Sequence, residues 1–440
     1  MRSLGAVLPL FLLPIIIFGQ TFNLPEGQKY EKVKFELINN LMVIPITVNG
    51  TELSFIFDSG VSNPILFNLS DKDSVQINDV TEIEIRGLGH NAPLKALSSK
   101  GNTFRLKKIE NSSQSLYIVL DKSMNFSSTF GIPIHGIIGY QLFRDFVVDI
   151  NYARRTIKFY DPEFYKRRER STSQRLPLSV IKKKPYVDSN LFLKDAENLS
   201  VKLLVDTGSS DAIWLFEDDT ISIPEKSYTD FLGKGLNGDI FGKRTKVEGI
   251  KIGRFILEDA KAAFPDIKAM NSITNFGSRN GSIGGEVLKR FNIVFDYGQN
   301  SISFRKNRNY DDPFQYNLSG IDLEHNGMRY IAETIAEPKG VVLSDKNGFG
   351  NVQLLFDERT RLSLAPEIVV SGIRAGSPAA RAGLREGDVI LAVNGKDVKR
   401  YELQEIFGIL NEKEGKRIRL LIERYNSALT FTFVLKNMLK

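Results

Sequence analysis

A chain of 440 residues is too long for one compact domain and has room for two or three. It contains no cysteine, which excludes disulfides, thiolate nucleophiles and cysteine metal sites together. The formal net charge of +7 comes from local runs at Arg154-Arg155, Lys166 to Arg170 and Lys182-Lys183-Lys184. They lack the aromatic-interleaved stripe of a nucleic-acid surface, so they read as solvated connections and no nucleic-acid partner is expected.

At the N-terminus, Arg2 precedes an apolar run from Leu4 to Phe18, interrupted by Pro9 and Pro14 and closed by Gly19-Gln20-Thr21. A spanning helix needs about 20 apolar residues. This shorter run with a basic start reads as a signal peptide over residues 1–20, cleaved near Gly19 or Gln20. The protein is therefore expected to be periplasmic or secreted, meeting the membrane only if that segment is retained. An exported chain of this size without cysteine fits a bacterial envelope better than eukaryotic secretion.

The next three hundred residues contain an internal duplication. The apolar run Leu53 to Phe57 leads into Asp58-Ser59-Gly60 and closes on Ile65-Leu66-Phe67; Val201 to Val205 leads into Asp206-Thr207-Gly208 and closes on Ile213-Trp214-Leu215. Gly87-Leu88 and Gly235-Leu236 keep the same offset. Further on, Ile138-Gly139 precedes an apolar segment with Phe146, Ile150 and Tyr152, and Ile283-Gly284 one with Phe291, Phe295 and Tyr297, in the same Phe-x-x-x-Ile/Phe-x-Tyr spacing. Both copies show short β-branched and aromatic bursts separated by turn residues, with hairpin turns expected at Ala153 to Arg155 and Gly298 to Asn300. The lobes are placed at 28–162 and 176–310, joined by a charged linker from Glu163 to Arg175.

A single Asp-Ser/Thr-Gly carries little weight; two, each after an apolar strand and each at the same place in a repeat, point to chemistry. Gly60 and Gly208 allow a sharp turn and close approach. The Ser59 and Thr207 hydroxyls can donate and accept hydrogen bonds that lock the two turns together. Brought face to face, Asp58 and Asp206 cannot both ionise cheaply, so they hold one proton and titrate as a unit. The ionised member would take a proton from water while the protonated member donates to a substrate carbonyl. No metal or other cofactor is needed. The three histidines, His90, His135 and His325, form no His-Glu-x-x-His motif, and His90 is expected to be an exposed loop residue. No Gly-x-Ser-x-Gly elbow and no phosphate loop occurs.

On these motifs the chain resembles a bilobal aspartic protease, nearer the retropepsin-like type than the disulfide-bearing pepsins. The stretch from Val205 through Asp206-Thr207-Gly208-Ser209 to Trp214 is close to the pepsin active-site signature, with one extra residue before the Trp. Ile137-Ile138-Gly139 and Ser282-Ile283-Gly284 match the family's later element, whose glycine lets a strand pass beside the catalytic turn. The resemblance implies catalytic Asp58 and Asp206, an active-site turn through Ser59, Gly60, Thr207, Gly208 and Ser209, and supporting Gly139 and Gly284. Val61 departs from the Ser, Thr or Ala usual after the first motif. Neither lobe has a flap tyrosine; Gly87 and Gly89, and Gly235 and Gly238, fit either glycine flap tips or ordinary hairpin turns.

The last hundred residues change character. Ser377 caps a short helix that Pro378 opens and Gly383 stops; Gly387 to Val393 is a strand, Asn394-Gly395 a hairpin turn, and Leu403, Ile406, Phe407 and Leu410 keep helical spacing. The stretch Ser-Pro-Ala-x-x-Ala-Gly-Leu-x-x-Gly-Asp resembles a bacterial PDZ domain, placed at 345–440, which implies a peptide ligand added as a strand. Arg361 to Ile368 is the expected carboxylate-holding loop, although it lacks a Gly-Leu-Gly-Phe signature. The expected fold is mainly β: two repeated acid-protease-type β-barrel lobes followed by a small α+β PDZ domain. The expected function is an aspartic endopeptidase with a polypeptide substrate; the alternative is a catalytically inactive protease-fold scaffold that binds peptides.

Overall fold

The computed structural model describes residues 20–69, 74–89, 93–121, 124–167, 170–194, 196–266, 279–344 and 351–439. His90 and, apart from Gln20, the expected signal segment lie outside these residues. Among the described residues no helix is long and apolar enough to cross a membrane.

Most side chains along Leu41–Val48 and Thr51–Phe57 are buried because the sheet has a core on each face, with Met42, Ile44, Phe55 and Phe57 in one apolar cluster and Leu41, Val43 and Ile56 in another. Both repeats build an eight-stranded sheet with the same strand order. In the first, the order is Glu36–Ile38, Leu41–Val48, Thr51–Phe57, Gly136–Ile138, Ile65–Leu66, Ile109–Val119, Leu94–Leu106 and Val80–Ile85. In the second it is Ser179–Ile181, Lys184–Leu193, Ala196–Val205, Gly281–Ile283, Ile213–Leu215, Phe255–Pro265, Gly238–Ile252 and Tyr228–Gly235. Each sheet also folds back so that its second strand meets its seventh, with Val48 opposite Phe104 and Leu191 opposite Ile250.

A third sheet joins the halves. Val147–Asn151 pairs antiparallel with Phe291–Asp296, setting Val148 opposite Phe295 and Ile150 opposite Ile293. Tyr30–Lys34 and Thr156–Tyr160 extend it on one side, Ser301–Lys306 and Ser173–Pro177 on the other. The strand Ser173–Pro177 therefore takes up the end of the expected linker. The turns before Thr156 and Ser301 place Arg155 and Asn300 in the left-handed region, at φ 51° and 43°. Above this sheet Phe143 stacks on Phe57 at 4.5 Å and meets Phe295 edge-on at 4.9 Å, so one apolar core runs through both repeats.

The C-terminal module has its own core. It begins earlier than residue 345: Leu318, Ile321 and Leu323 belong to it, and Ile321–Ser344 forms a long hairpin with Asn351–Ile373. The start was hidden because this strand lies before the recognisable helix motif and reads as a continuation of the repeat. The segment Arg361 to Ile368 is not a loop but part of the returning strand. The short helix Pro378–Ala382 is capped by Ser377 and ended by Gly383 at φ 95°, and Leu403–Leu410 packs beside the long strand.

Because the repeats share a core, Phe143→Ala should weaken both together. A loss of about 3–5 kcal/mol is expected for a buried Phe truncation. Denaturant unfolding followed by Trp214 fluorescence and by circular dichroism should show one coincident, lowered transition for residues of both repeats.

Candidate active site

Asp58 and Asp206 each stand one residue past a strand end, after Thr51–Phe57 and Ala196–Val205. Each strand is paired in parallel with the one carrying the later glycine motif: Phe57 lies opposite Ile138, and Val205 opposite Ile283. The Asp58 N–H donates to Ile138 at 2.8 Å and the Asp206 N–H to Ile283 at 2.9 Å. The glycines that follow pass so close that a side chain has no room. A Cβ on Gly139 would stand 1.6 Å from the Asp58 carbonyl oxygen, and one on Gly284 2.4 Å from that of Asp211 and 2.9 Å from Ser209.

The two turns are bonded to each other. The Ser59 N–H donates to Thr207 Oγ1 at 2.9 Å, and the Thr207 N–H to Ser59 Oγ at 3.1 Å. Each hydroxyl then donates across to the other strand, Ser59 to the Val205 carbonyl at 2.6 Å and Thr207 to the Phe57 carbonyl at 2.8 Å. Both side chains are wholly buried, and every polar group in this ring of four bonds has a partner. Gly208 faces the opposite aspartate, since a Cβ there would lie 2.1 Å from Asp58 Cγ; one on Gly60 would lie 3.1 Å from Asp206 Oδ1. A side chain at Gly208 would collide with the Asp58 carboxyl, and one at Gly60 would press tightly on both carboxyl groups.

The Asp58 and Asp206 side chains hydrogen-bond to each other. Burial pushes the Asp58 carboxyl up to about 8, the neighbouring Asp206 carboxylate adds to this, and the Gly60 N–H and the Lys184 ammonium offset only part of it. A pair in this state holds one proton over a broad pH range, with a hydrogen-bond donor beside an acceptor. Val61, the departure in the first motif, packs its side chain into the apolar cluster under that lobe.

Above the pair lies a cavity of about 1050 Å³, roofed by both glycine hairpins. Their tips meet. The Asn237 N–H donates to the Leu88 carbonyl at 2.8 Å, and the Gly87 N–H is accepted by Asn237 Oδ1. A Cβ on Gly89 would stand 2.2 Å from the Asn237 carbonyl oxygen, and one on Gly235 2.2 Å from that of Leu88. Leu236 packs on the apolar cluster of the first lobe and Leu88 on the Trp214 cluster of the second. Gly238, at φ 105°, closes the second hairpin opposite Gly235. His135 and His325 do not line the cavity: His135 Nδ1 accepts from the Ser54 N–H at 3.1 Å. Among the described residues no group of His, Asp and Glu is arranged to hold a metal.

Sequence reasoning missed two features here. The first is a buried charge relay behind the second turn. Asp211 accepts from Trp214 Nε1 at 3.1 Å and from Arg244 at 2.9 and 3.0 Å, Arg244 Nε donates to Asp230 at 2.7 Å, and Arg374 of the C-terminal module lies 3.5 Å from Asp230. Burial alone would raise the Asp211 carboxyl, but Arg244 and Lys261 hold it well below the usual range. The second is a pair of cavity cations, Lys184 and Arg279; Lys184 sits in a run read as a solvated connection. Nothing in a linear pattern separates a lysine at a strand mouth from its solvated neighbours.

The C-terminal module closes one side of the cavity through Asp322, Leu323, Ser371 to Ala375 and Phe407. It also meets the first lobe, where a Cβ on Gly131 would stand 3.0 Å from Leu403 Cβ and 3.1 Å from His325 Nε2.

Two paired turns under two crossed hairpins, with a separate β module beside them, define a protease fold carrying an added domain. Residues 44–142 match the family model for an aspartyl protease, and residues 369–424 that for a PDZ domain. The chain thus joins an aspartyl protease domain to a C-terminal PDZ domain. It is also similar over 58 residues, at 41% identity, to a probable CtpA-like serine protease of Staphylococcus aureus (strain COL), covering 13% of this chain and 12% of that protein. A carboxy-terminal processing protease CtpA of Bacillus subtilis (strain 168) is 39% identical over 57 residues, again 13% of this chain and 12% of that protein. The chain therefore matches only about an eighth of the length of these relatives.

Thr207→Val keeps shape but leaves the Ser59 N–H and the Phe57 carbonyl without a partner. Each orphaned buried group costs about 1–3 kcal/mol. Ser59→Ala should cost a similar amount, and the double variant less than the sum, because the two side chains share one ring of bonds; urea denaturation measures all three.

Asp58→Asn should respond to pH in the opposite sense to an ordinary ion-pair loss. The Asp58 pKa is raised on folding, so its contribution to stability is full below the ordinary carboxylate value of 3.8 and is lost as pH rises toward about 8. The variant should melt close to the wild type at pH 4 and above it at pH 8, by an amount on the order of a few kcal/mol.

Proposed function

We propose that the protein is an aspartic endopeptidase, exported to the periplasm or beyond, that hydrolyses an extended polypeptide held between the two lobes. The observation that carries this reading is the hydrogen-bonded Asp58–Asp206 pair on turns locked by Ser59 and Thr207. One carboxylate takes a proton from a water molecule as its oxygen attacks the peptide carbonyl carbon. The other carboxyl gives its proton to the carbonyl oxygen, forming a neutral diol. As the diol collapses, one of its hydroxyls returns its proton to the ionised member, the C–N bond breaks and the leaving nitrogen takes up the proton of the other member, so the pair ends with a single proton.

Gly60, Gly208 and Ser209 form the floor of the cleft with Asp58 and Asp206; the tips at Gly87, Gly89, Gly235 and Gly238 act as paired flaps. Their mutual hydrogen bonds mean that a polypeptide enters only when the tips part. The lobes are assigned to about 28–162 and 176–310. The PDZ domain takes a peptide segment of the same substrate by strand addition, along the edge strand Ile321–Ser344 beside helix Leu403–Leu410. The serine-protease names belong to relatives that share about an eighth of this chain, whereas the paired carboxylates supply the hydrolytic chemistry here without a serine elbow.

Either Asp58→Asn or Asp206→Asn should abolish cleavage of a peptide mixture, and the double variant should add almost nothing, because the two groups act as one unit. Wild-type turnover should follow a bell against pH, rising as the doubly protonated pair loses one proton. It should fall again toward pH 8 as the second leaves, since Asp58 is raised to about 8. Mass-spectrometric profiling from pH 3 to 9 reads both limbs. Peptide binding with no Asp-dependent cleavage at any pH would instead make the protein a peptide-binding scaffold.

A further inference from the structure

The duplication allows the two walls beside the carboxylates to be compared position by position. Val43 pairs with Ile56 and Tyr186 with Leu204, and Ile56 and Leu204 each lie two residues before their aspartate. Two residues upstream on these matching strands stand Leu41 and Lys184, both lining the cavity. The same logic relates the strands that follow: Phe55 lies opposite Gly136 and Leu203 opposite Gly281, so Ile134 and Arg279 are counterparts. In the first lobe both positions are apolar, and Leu41 and Ile134 belong to one buried cluster with Ile56, Ile65 and Phe130. In the second lobe both are cations.

Those cations are held in place without being neutralised by a neighbour. Arg279 Nε donates to the Gly281 carbonyl at 2.9 Å and its guanidinium lies over the Phe216 ring at 5.1 Å. Among the described residues its terminal nitrogens and the Lys184 ammonium make no hydrogen bond. The carboxylates that act on Lys184 are those of the dyad, and on Arg279 that of Asp206. That dyad carries a single negative charge in its working state. Two half-buried cations facing one shared charge leave an excess of positive charge in the cleft, and burial together with their mutual repulsion weakens the Lys184 ammonium. An anion arriving with the ligand removes that excess.

We infer that Lys184 and Arg279 form a carboxylate-binding subsite, so that the protein recognises a peptide with Asp or Glu on the second-lobe side of the scissile bond and an apolar residue on the first-lobe side. This rests on the endopeptidase reading for its catalytic consequence but not for binding. The guanidinium offers a planar fork and the ammonium a point charge to the same carboxylate, while Leu41, Ile56 and Phe130 offer the opposite pocket no polar partner.

The test uses the full chain and matched peptides that differ only by Glu or Gln next to the cleaved bond. Wild type should prefer Glu by about tenfold or more in kcat/KM, the range of a charge-assisted hydrogen bond. Lys184→Met and Arg279→Met should each shrink that ratio and together bring it near one; Lys184→Glu should invert it toward Gln or Lys peptides. Binding of the same labelled peptides to Asp58→Asn protein, followed by fluorescence anisotropy, should show the same order. Equal handling of Glu and Gln by the wild type, or a preference that survives in the double Met variant, would overturn the subsite. If no peptide is cleaved, the endopeptidase reading fails, and the anisotropy ratio alone decides the subsite.

Discussion

The structure depends on the four hydrogen bonds that cross between Ser59 and Thr207. Each side chain bonds the other turn's backbone N–H and the other strand's carbonyl, so neither lobe completes its own turn alone. The ring is fully buried, where an unpaired polar group is expensive and a fully paired one fixes geometry. It holds two carboxylates against each other although their charges repel. The repulsion and the burial together keep one proton on the pair, and the ring holds that arrangement in place.

A near-twofold relation follows from this ring and governs what surrounds it. The two eight-stranded sheets share their order, the later glycines occupy matching places, and the hairpin tips meet over the pair. Where the halves differ, the difference has a chemical sense. Leu41 and Ile134 continue the first lobe's apolar cluster; Lys184 and Arg279 put charge at the same positions in the second. Only the second turn is backed by the Asp211–Arg244–Asp230 relay, and the first has Val61 packed into hydrocarbon instead. A duplicated scaffold thus keeps its backbone constraints and varies the side chains around the cavity.

Much of this was legible in the sequence because it is local. Asp58-Ser59-Gly60 and Asp206-Thr207-Gly208 each follow a continuous apolar strand, and Gly139 and Gly284 recur at a matching interval, so turn chemistry and repetition identified the same residues. The helix Pro378–Ala382 announced itself through Ser377, Pro378 and Gly383. What was hidden is what depends on register and on partners distant in sequence. Arg361 to Ile368 was expected as a loop and is the middle of a strand, because its partner, Tyr330 and its neighbours, lies thirty or so residues upstream on the other arm of a hairpin. Whether Gly87 and Gly235 were flap tips or plain turns depended on each meeting the other, which no pattern within one lobe encodes. Lys184 reads like its two lysine neighbours until the strand pairing turns it inward.

The placement of the PDZ domain then has a physical consequence for the cleft. Arg374 reaches Asp230 at 3.5 Å and lies over the Tyr228 ring at 4.5 Å, both on the strand that carries the second hairpin tip. Asp230 is also bonded by Arg244, which holds Asp211 just beyond the catalytic turn. A chain of buried ions therefore runs from the domain edge, through the base of the hairpin, to the floor of the site. Each carboxylate in it has two cationic partners, Asp230 with Arg244 and Arg374 and Asp211 with Arg244 and Lys261, so the buried charges compensate one another as a network. The domain, the hairpin and the turn are thereby favoured in one arrangement together. A peptide that shifts Ile321–Ser344 or the Ser371 to Ala375 segment acts on the wall of the cavity and on Arg374 at once. Arg374 thereby ties the C-terminal module to the strand that carries the second hairpin tip.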